Sequence, residues 1–437
     1  MKDRRSFIKQ AALAGAAYVL LPRFAIASSG KDSWDVPKTL QDEMYQAALR
    51  IAKKNVRGGP DNPVFKKPYL DAAFNGHIFL WDTCFMSCYA KYHPDQLPVA
   101  NALDNFYNLQ EPDGFICREY TPDGKAMWPK DHPVSINPPL LAFAELQLYG
   151  QSKDAARLGK IYPHLKRFFD FLVKTWRMDD HLFVSDAMGS GMDNIPRYPE
   201  GWKDDGKGLK IKNSAVADPY LKNLSSVWNK QGRSVDMTAQ MALFALNLSE
   251  IAALTGQQKD IAAYKQFHAE TKDALNKHCW NEADSFYYDL GYGKQIKRMH
   301  IGMFWTLIAG LVPADKVDKF VGVLTDPKKF WRKFPVASYA ADQKEFLNDG
   351  KYWLGSNWPP MNYMVIKGLQ HVNKLELAKK LARQYYWGVA QVYSKTKTFW
   401  EDYAPDAIKP GTPSVPNFCG WTAIVPITLY HEFIAKT

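Results

Sequence analysis

Three short segments set carboxyl groups beside glycine, proline or aromatic residues, where an acid has options beyond structural duty, and a fourth sets an asparagine beside tryptophan and proline. In Ser190-Gly191-Met192-Asp193-Asn194-Ile195-Pro196-Arg197 a Gly-x-Asp-Asn turn runs into proline. Such a turn needs neither helix nor core, which leaves Asp193 and Arg197 to face a ligand; the same residues also make an ordinary Asx turn carrying surface charges. In Phe399-Trp400-Glu401-Asp402-Tyr403-Ala404-Pro405 the acids sit between rings. Rings can exclude bulk water and move a carboxyl pKa, although an exposed acidic pair would read the same way. Phe79-Leu80-Trp81-Asp82-Thr83 and Trp358-Pro359-Pro360-Met361-Asn362-Tyr363 each open a helix. There Asp82 can serve as a cap and Trp358 as core. An Asp beside a Trp is also what a pyranose requires, with carboxylate oxygens accepting from two hydroxyls while the indole covers the apolar face of the ring.

Five motifs, Trp81-Asp82, Ser190 to Asp193 with Arg197 four residues on, Trp358-Pro359 with Asn362, Glu401-Asp402-Tyr403 and Gly420-Trp421, keep the chain order of the signatures of six-hairpin inverting α-glycosidases. The chain resembles the group that contains trehalases, processing α-glucosidases of glycoside hydrolase family 63, and mannosylglycerate or glucosylglycerate hydrolases. The resemblance runs from about Asp71 to Phe433. It implies Asp193 as general acid and Glu401 as general base, with Trp81 and Asp82 holding the nonreducing sugar and Arg197 contacting substrate. Trp358, Asn362, Tyr403 and Trp421 are implied to line the same pocket. Two positions depart from the group's pattern: Gly189 stands where its members often carry Glu before Ser-Gly, and Asn137-Pro138-Pro139 where they carry Gln-Pro-Pro. Both bear on recognition of the aglycone more than on the chemistry.

The mechanism so implied asks different things of the two carboxyls. Asp193 must hold a proton to give to the glycosidic oxygen, so its surroundings are expected to raise its pKa, and Glu401 must stay ionised to activate water. An inverting pair stands ~6.5–9.5 Å apart and turns an α-linked sugar into a β product, whereas ~5 Å implies retention. The expected substrate is a small α-glucoside or α-mannoside, with no cofactor. Six-hairpin barrels also carry uronyl hydrolases and polysaccharide lyases, for which Arg118, Lys130, His132 and Arg197 offer cations and a base. A non-catalytic periplasmic sugar-binding protein is the remaining alternative. A binding site gains nothing from a buried acid that must stay protonated, so the presence of both carboxyls argues against it.

Positioning these residues falls to helices. Apolar periodicity predicts twelve, over residues 40–54, 81–92, 97–109, 138–150, 154–177, 234–255, 261–278, 300–309, 313–324, 359–370, 375–393 and 421–434, and no alternating run long enough for a large sheet. Twelve helices in consecutive pairs suit an α-solenoid or the (α/α)6 toroid of six hairpins. The chain shows no 30 to 45 residue self-similarity, and the loops at 109–136, 181–233 and 396–420 are too long for repeat turns, which favours the toroid, all-α, with its site built from long loops.

The 437 residues are 46% hydrophobic and 23% charged, which excludes disordered and collagen-like classes. Of the net charge of +11, five cations against one anion in the first 27 residues account for +4 and leave +7, scattered without a basic, aromatic-interleaved stripe; no nucleic-acid partner is expected. Asp3-Arg4-Arg5-Ser6-Phe7-Ile8-Lys9, the apolar run to Leu21 and Ala25-Ile26-Ala27 resemble a twin-arginine export signal over residues 1–27. That reading makes residues 28–437 a single catalytic domain handed to the twin-arginine export machinery, periplasmic or secreted, without stable membrane insertion, and it leaves no other stretch to span a bilayer. Cys84, Cys88, Cys117, Cys279 and Cys419 are an odd number without zinc-site spacing. The histidines likewise lack metal-ligand spacing, and no metal is expected.

Overall fold

The computed structural model describes residues 34–72, 76–198 and 230–435. The expected export signal lies outside the described residues, as does much of the expected 181–233 loop.

Beside a three-residue 3-10 turn at Pro133–Ser135, twelve longer helical stretches occur among the described residues, one for each expected. They are α1 (Lys38–Lys53), α2 (Leu80–Ala90), α3 (Val99–Asn108), α4 (Leu141–Ser152), α5 (Ala155–Trp176) and α6 (Val235–Leu254) in the first half. In the second half are α7 (Gln258–His278), α8 (a 3-10 turn Ile301–Phe304 running into Trp305–Ile308), α9 (Ala314–Thr325), α10 (Pro359–His371), α11 (Leu375–Thr396) and α12 (Thr422–Ile424 followed by Val425–Ile434). The boundaries follow local chemistry. Pro138 and Pro139 hold the chain out of helix until Leu141. From Val425 the last helix widens to π-type turns, with Pro426 near its start.

The even-numbered helices close on themselves. α2 packs on α4, α4 on α6, α6 on α8, α8 on α10, α10 on the first turn of α12, and that turn back on α2. The odd-numbered helices lie outside: α3 packs on α2, α5 and α7 on α6, and α11 on α10 and α12. An inner helix has neighbours all round, so it needs apolar residues all round. All of α2 is buried, Leu80 to Ala90, whereas outer α1 buries one stripe, Met44, Ala47, Ala48, Leu49 and Ala52. The same logic explains α6: its 20 residues are long and apolar enough to cross a membrane, contrary to the expectation that no such stretch follows the leader, and the helix is packed inside the ring.

Among the described residues strands are limited to two-residue ribbons, one of them pairing Ile78–Phe79 with Glu119–Tyr120 at the entry to α2. All five cysteines are buried and unbridged, acting as small core residues.

The inner helices approach closely where side chains are absent. A Cβ at Gly368 of α10 would stand 2.8 Å from the Leu307 Cβ and 3.2 Å from the Ile308 nitrogen of α8, while one at Gly322 of α9 would meet nothing within 4 Å. Gly322→Ala is therefore expected to stabilise by about 0.5–1 kcal/mol through reduced chain entropy. Gly368→Ala should lower the melting temperature by wedging α8 from α10, and thermal unfolding of the two variants side by side checks the contrast.

Candidate active site

The inner helices begin at one end of the ring. Trp81 in the first turn of α2, Trp358 just before α10 and Trp421 just before α12 meet there, with ring centroids 5.8 Å apart for Trp81–Trp421 and for Trp358–Trp421. Trp353 completes the cluster, stacked on Trp358 at 3.9 Å and 2° and lying 6.1 Å from Trp81. Asp82 follows Trp81 in the first turn of α2 and is buried.

The Asp193 segment reaches this cluster by two contacts. A Cβ on Gly191 would stand 2.5 Å from the Trp81 ring, and Gly191 has φ +77°, so the turn requires glycine on both counts. Asn194 bridges to the next loop: its Nδ2 donates to the Lys351 carbonyl at 3.1 Å and its Oδ1 accepts from the Trp353 N–H at 2.9 Å. These bonds restrain Lys351 and Tyr352 at φ +28° and +69°, a region costly for side-chain-bearing residues. Asp193 itself is half-buried.

Glu401 joins the cluster through Trp421 and is 2% exposed. Its carbonyl accepts from the Trp421 indole N–H at 2.8 Å, and its own N–H donates to Val415 at 2.9 Å. Asp402 next to it is fully buried. Burial, with the Glu401 charge added, pushes its carboxyl well above the usual range.

The loop before Asp193 is anchored from several sides. Asp186 Oδ1 accepts from the Gly189 N–H at 2.6 Å, Ser190 Oγ donates to the Ala187 carbonyl at 2.8 Å, and Arg118 donates to the Met188 carbonyl. Gly189 leaves no room for a side chain, since a Cβ would lie 2.6 Å from the Pro133 carbonyl oxygen and 3.3 Å from Asp186 Oδ1. The departures noted at 137 and 189 are coupled in space, with Asn137 Nδ2 directed at the Gly189 carbonyl at 3.5 Å.

Three expected pocket residues are engaged by protein. Arg197 is buried between two carboxylates, reaching Asp289 Oδ2 at 2.7 Å and both oxygens of Asp236. Asn362 accepts from the Val336 N–H at 2.7 Å and donates to the Trp358 carbonyl at 3.1 Å. Tyr403 packs on Phe334 at 5.5 Å and pairs its backbone with Asn357. Trp81, Trp358 and Trp421 do converge, as expected. The sequence reading missed Trp353 and Asn194, although the Tyr352-Trp353 pair and the turn motif itself were the available signals. It also missed Asp186, Asp236 and Asp289, which only the fold brings in. The surface cavities lined by Lys66, Lys67 and Lys160 and by Tyr92, Leu97 and Leu148 share no residue with this cluster.

Of the cations and base weighed for uronate chemistry, Lys130 is paired with Glu111 and Asp113 at 2.8 Å each on the surface. His132 is buried, accepts the Val134 N–H at 3.1 Å, and is pushed down to about 3 by burial, so it is neutral.

Burial alone would push Asp289 up, but Arg197, with His300 at 3.3 Å, more than offsets it and holds the carboxyl below its usual range. Such a group stabilises the fold above its unfolded pKa of ~3.9 and loses that effect as pH falls through the lower folded value. Arg197→Met would leave two buried carboxylates facing each other and is expected to cost about 3–5 kcal/mol at pH 7. The deficit should shrink toward pH 4, as measured by thermal unfolding across pH.

Comparison with known proteins gives this geometry a context. A mannosyl-oligosaccharide glucosidase of Saccharomyces cerevisiae is 23% identical over 415 residues, covering 79% of this chain and 49% of that protein. An uncharacterized protein of Borreliella burgdorferi is 22% identical over 334 residues, covering 75% and 64%. The chain thus spans about half to under two thirds of the length of these curated relatives. A family 63 mannosylglycerate hydrolase of Thermus thermophilus, solved with Tris and D-glycerate, superposes with TM-score 0.69 at 19% identity, over 88% of this chain and 99% of that one. The neutral trehalase of Saccharomyces cerevisiae gives TM-score 0.56 at 14% identity, over 83% and 73%. The glucosidase, the mannosylglycerate hydrolase and the trehalase are of the enzyme kinds that the five ordered motifs resembled. The model for the mannosylglycerate hydrolase MGH1-like glycoside hydrolase domain matches residues 76–411, most of the sequence, and the chain belongs to that glycoside hydrolase family.

Proposed function

We propose that the chain is an inverting α-glycosidase acting on a small α-glucoside or α-mannoside, with Asp193 as general acid and Glu401 as general base. One observation carries the reading: a single tryptophan cluster is tied to the Asp193 turn through Asn194 and Trp353, and to Glu401 through the Trp421 indole. Flat aromatic faces suit the apolar side of a sugar ring, and two carboxyl-bearing segments attached to one cluster suit protonation of the leaving oxygen and activation of water. In this reading Asp193 donates its proton to the glycosidic oxygen as the bond to the anomeric carbon breaks. Glu401 draws a proton from a water that attacks that carbon from behind. The Thermus thermophilus relative, named as a mannosylglycerate hydrolase and solved with glucose in one structure, supports a small sugar substrate. The engagement of Lys130 and the neutral, enclosed His132 weaken the uronate alternative.

The reading also takes residues 1–27 as a twin-arginine signal and residues 28–437 as one exported catalytic domain, periplasmic or secreted, with no stable membrane insertion. Arg4→Lys with Arg5→Lys should hold the protein in the cytoplasm, and fractionation with N-terminal sequencing of the exported form should find cleavage near Ala27.

The chemistry is tested by a hydrolysis screen on α-linked disaccharides and glycosylglycerates, following the product anomer by proton NMR in the first minutes. A β-sugar is expected; initial α-anomer would overturn the pair. Asp193→Asn and Glu401→Gln should each lower kcat by about 10²–10⁴ while sugar binding, measured by calorimetry, persists.

A further inference from the structure

We infer that Asp186 is a positioning residue for the general acid: it fixes the Asp193 loop through Gly189 and, as an anion, keeps the proton on Asp193. This rests on the assignment of Asp193 proposed above.

Asp186 does more than close a turn. Its Oδ1 takes the Gly189 N–H at 2.6 Å and its carbonyl takes the Ser190 N–H at 2.9 Å, which sets the chain three residues before Asp193. An asparagine would supply the same acceptor. The second oxygen, Oδ2, is buried without a hydrogen-bond partner, a costly arrangement for a carboxylate whose only duty is a turn. Arg118 and Arg197 offset its charge in part, Arg118 while donating to the Met188 carbonyl and Arg197 while paired with Asp236 and Asp289. His132 Nδ1 stands 3.9 Å from Oδ2 but already accepts from Val134, so it brings no proton on that nitrogen. Asp193 adds a like charge.

Burial is the main cause that pushes Asp186 up to about 6; the Gly189 N–H, Arg118 and Arg197 oppose it, and Asp193 adds to it. Coupling between two titrating groups acts equally on both. Above about pH 6 Asp186 is an anion, so ionising Asp193 would place a second negative charge beside it, and Asp193 keeps its proton to higher pH. Below that pH Asp186 is neutral and no longer adds to the hold on the Asp193 proton. The effect therefore operates in the range where a general acid would otherwise lose its proton.

The test is the pH dependence of kcat/KM in Asp186→Asn, which retains the acceptor for Gly189. The alkaline limb should move to lower pH by about one unit, a tenfold loss on that limb, with the acid limb unmoved. A purely structural role would lower the rate equally at every pH. An unshifted alkaline limb in a cooperatively folded variant overturns the inference. Should Asp186→Asn not fold, carbon-13 carboxyl titration of the aspartate-labelled native protein replaces it, with the Asp193 signal assigned by its loss in Asp193→Asn. A second inflection of that signal near pH 6 is expected, and a single inflection overturns the coupling. Asp193→Asn with full activity would sink the acid assignment itself, whereas an inactive Asp193→Asn beside an unshifted Asp186→Asn would sink the coupling alone.

Discussion

Closing six helices into a ring constrains everything else in the molecule. Each inner helix is flanked on every side, so its body must be apolar, and polar chemistry is displaced to the ends. Because every second helix runs the same way, the inner six start at one mouth. Each helix start carries about half a positive charge from its unsatisfied N–H groups. That field favours carboxylates, and they collect there: Asp82 and Asp236 lie in the first turns of α2 and α6, and Asp289 accepts from the Val235 N–H at 2.8 Å.

Packed into one mouth, these acids are separated by environment rather than by distance from the core. Asp289 is held low by Arg197, Asp402 is pushed well up by burial, and Asp186 falls between. A family of hydrolases that must keep one carboxyl protonated and another ionised can draw on such a spread. The tryptophans fix where the spread is used. Trp353 and Trp358 stack face to face, and through Asn194 and the Trp421 indole the two irregular segments that carry Asp193 and Glu401 become parts of one rigid surface.

The helices were legible because outer helices must alternate faces every three to four residues and inner ones must be apolar throughout; both patterns survive in sequence. The motif-bearing starts of α2, α10 and α12 were legible for a related reason, since Trp81, Trp358 and Trp421 each stand at a proline- or glycine-marked helix entry or beside an acid. What stayed hidden depends on contacts between distant residues. Asp236 reads as a helix-start acid until Arg197 is seen beside it, and Asp186 reads as a loop acid until Gly189 and Arg118 close around it. The roles expected for Arg197, Asn362 and Tyr403 came from motif order alone, which gives no sign that protein groups already engage all three side chains or their backbone.

The five cysteines carry a consequence for how the chain reaches its final form. Each thiol is buried and unbridged, and burial pushes Cys84, Cys88, Cys279 and Cys419 up, away from the reactive thiolate. No covalent cross-link awaits an oxidant. The core can be completed in a reducing compartment by packing alone, without thiol oxidases or isomerases, and the finished protein presents no accessible sulfhydryl to whatever redox conditions it meets afterwards.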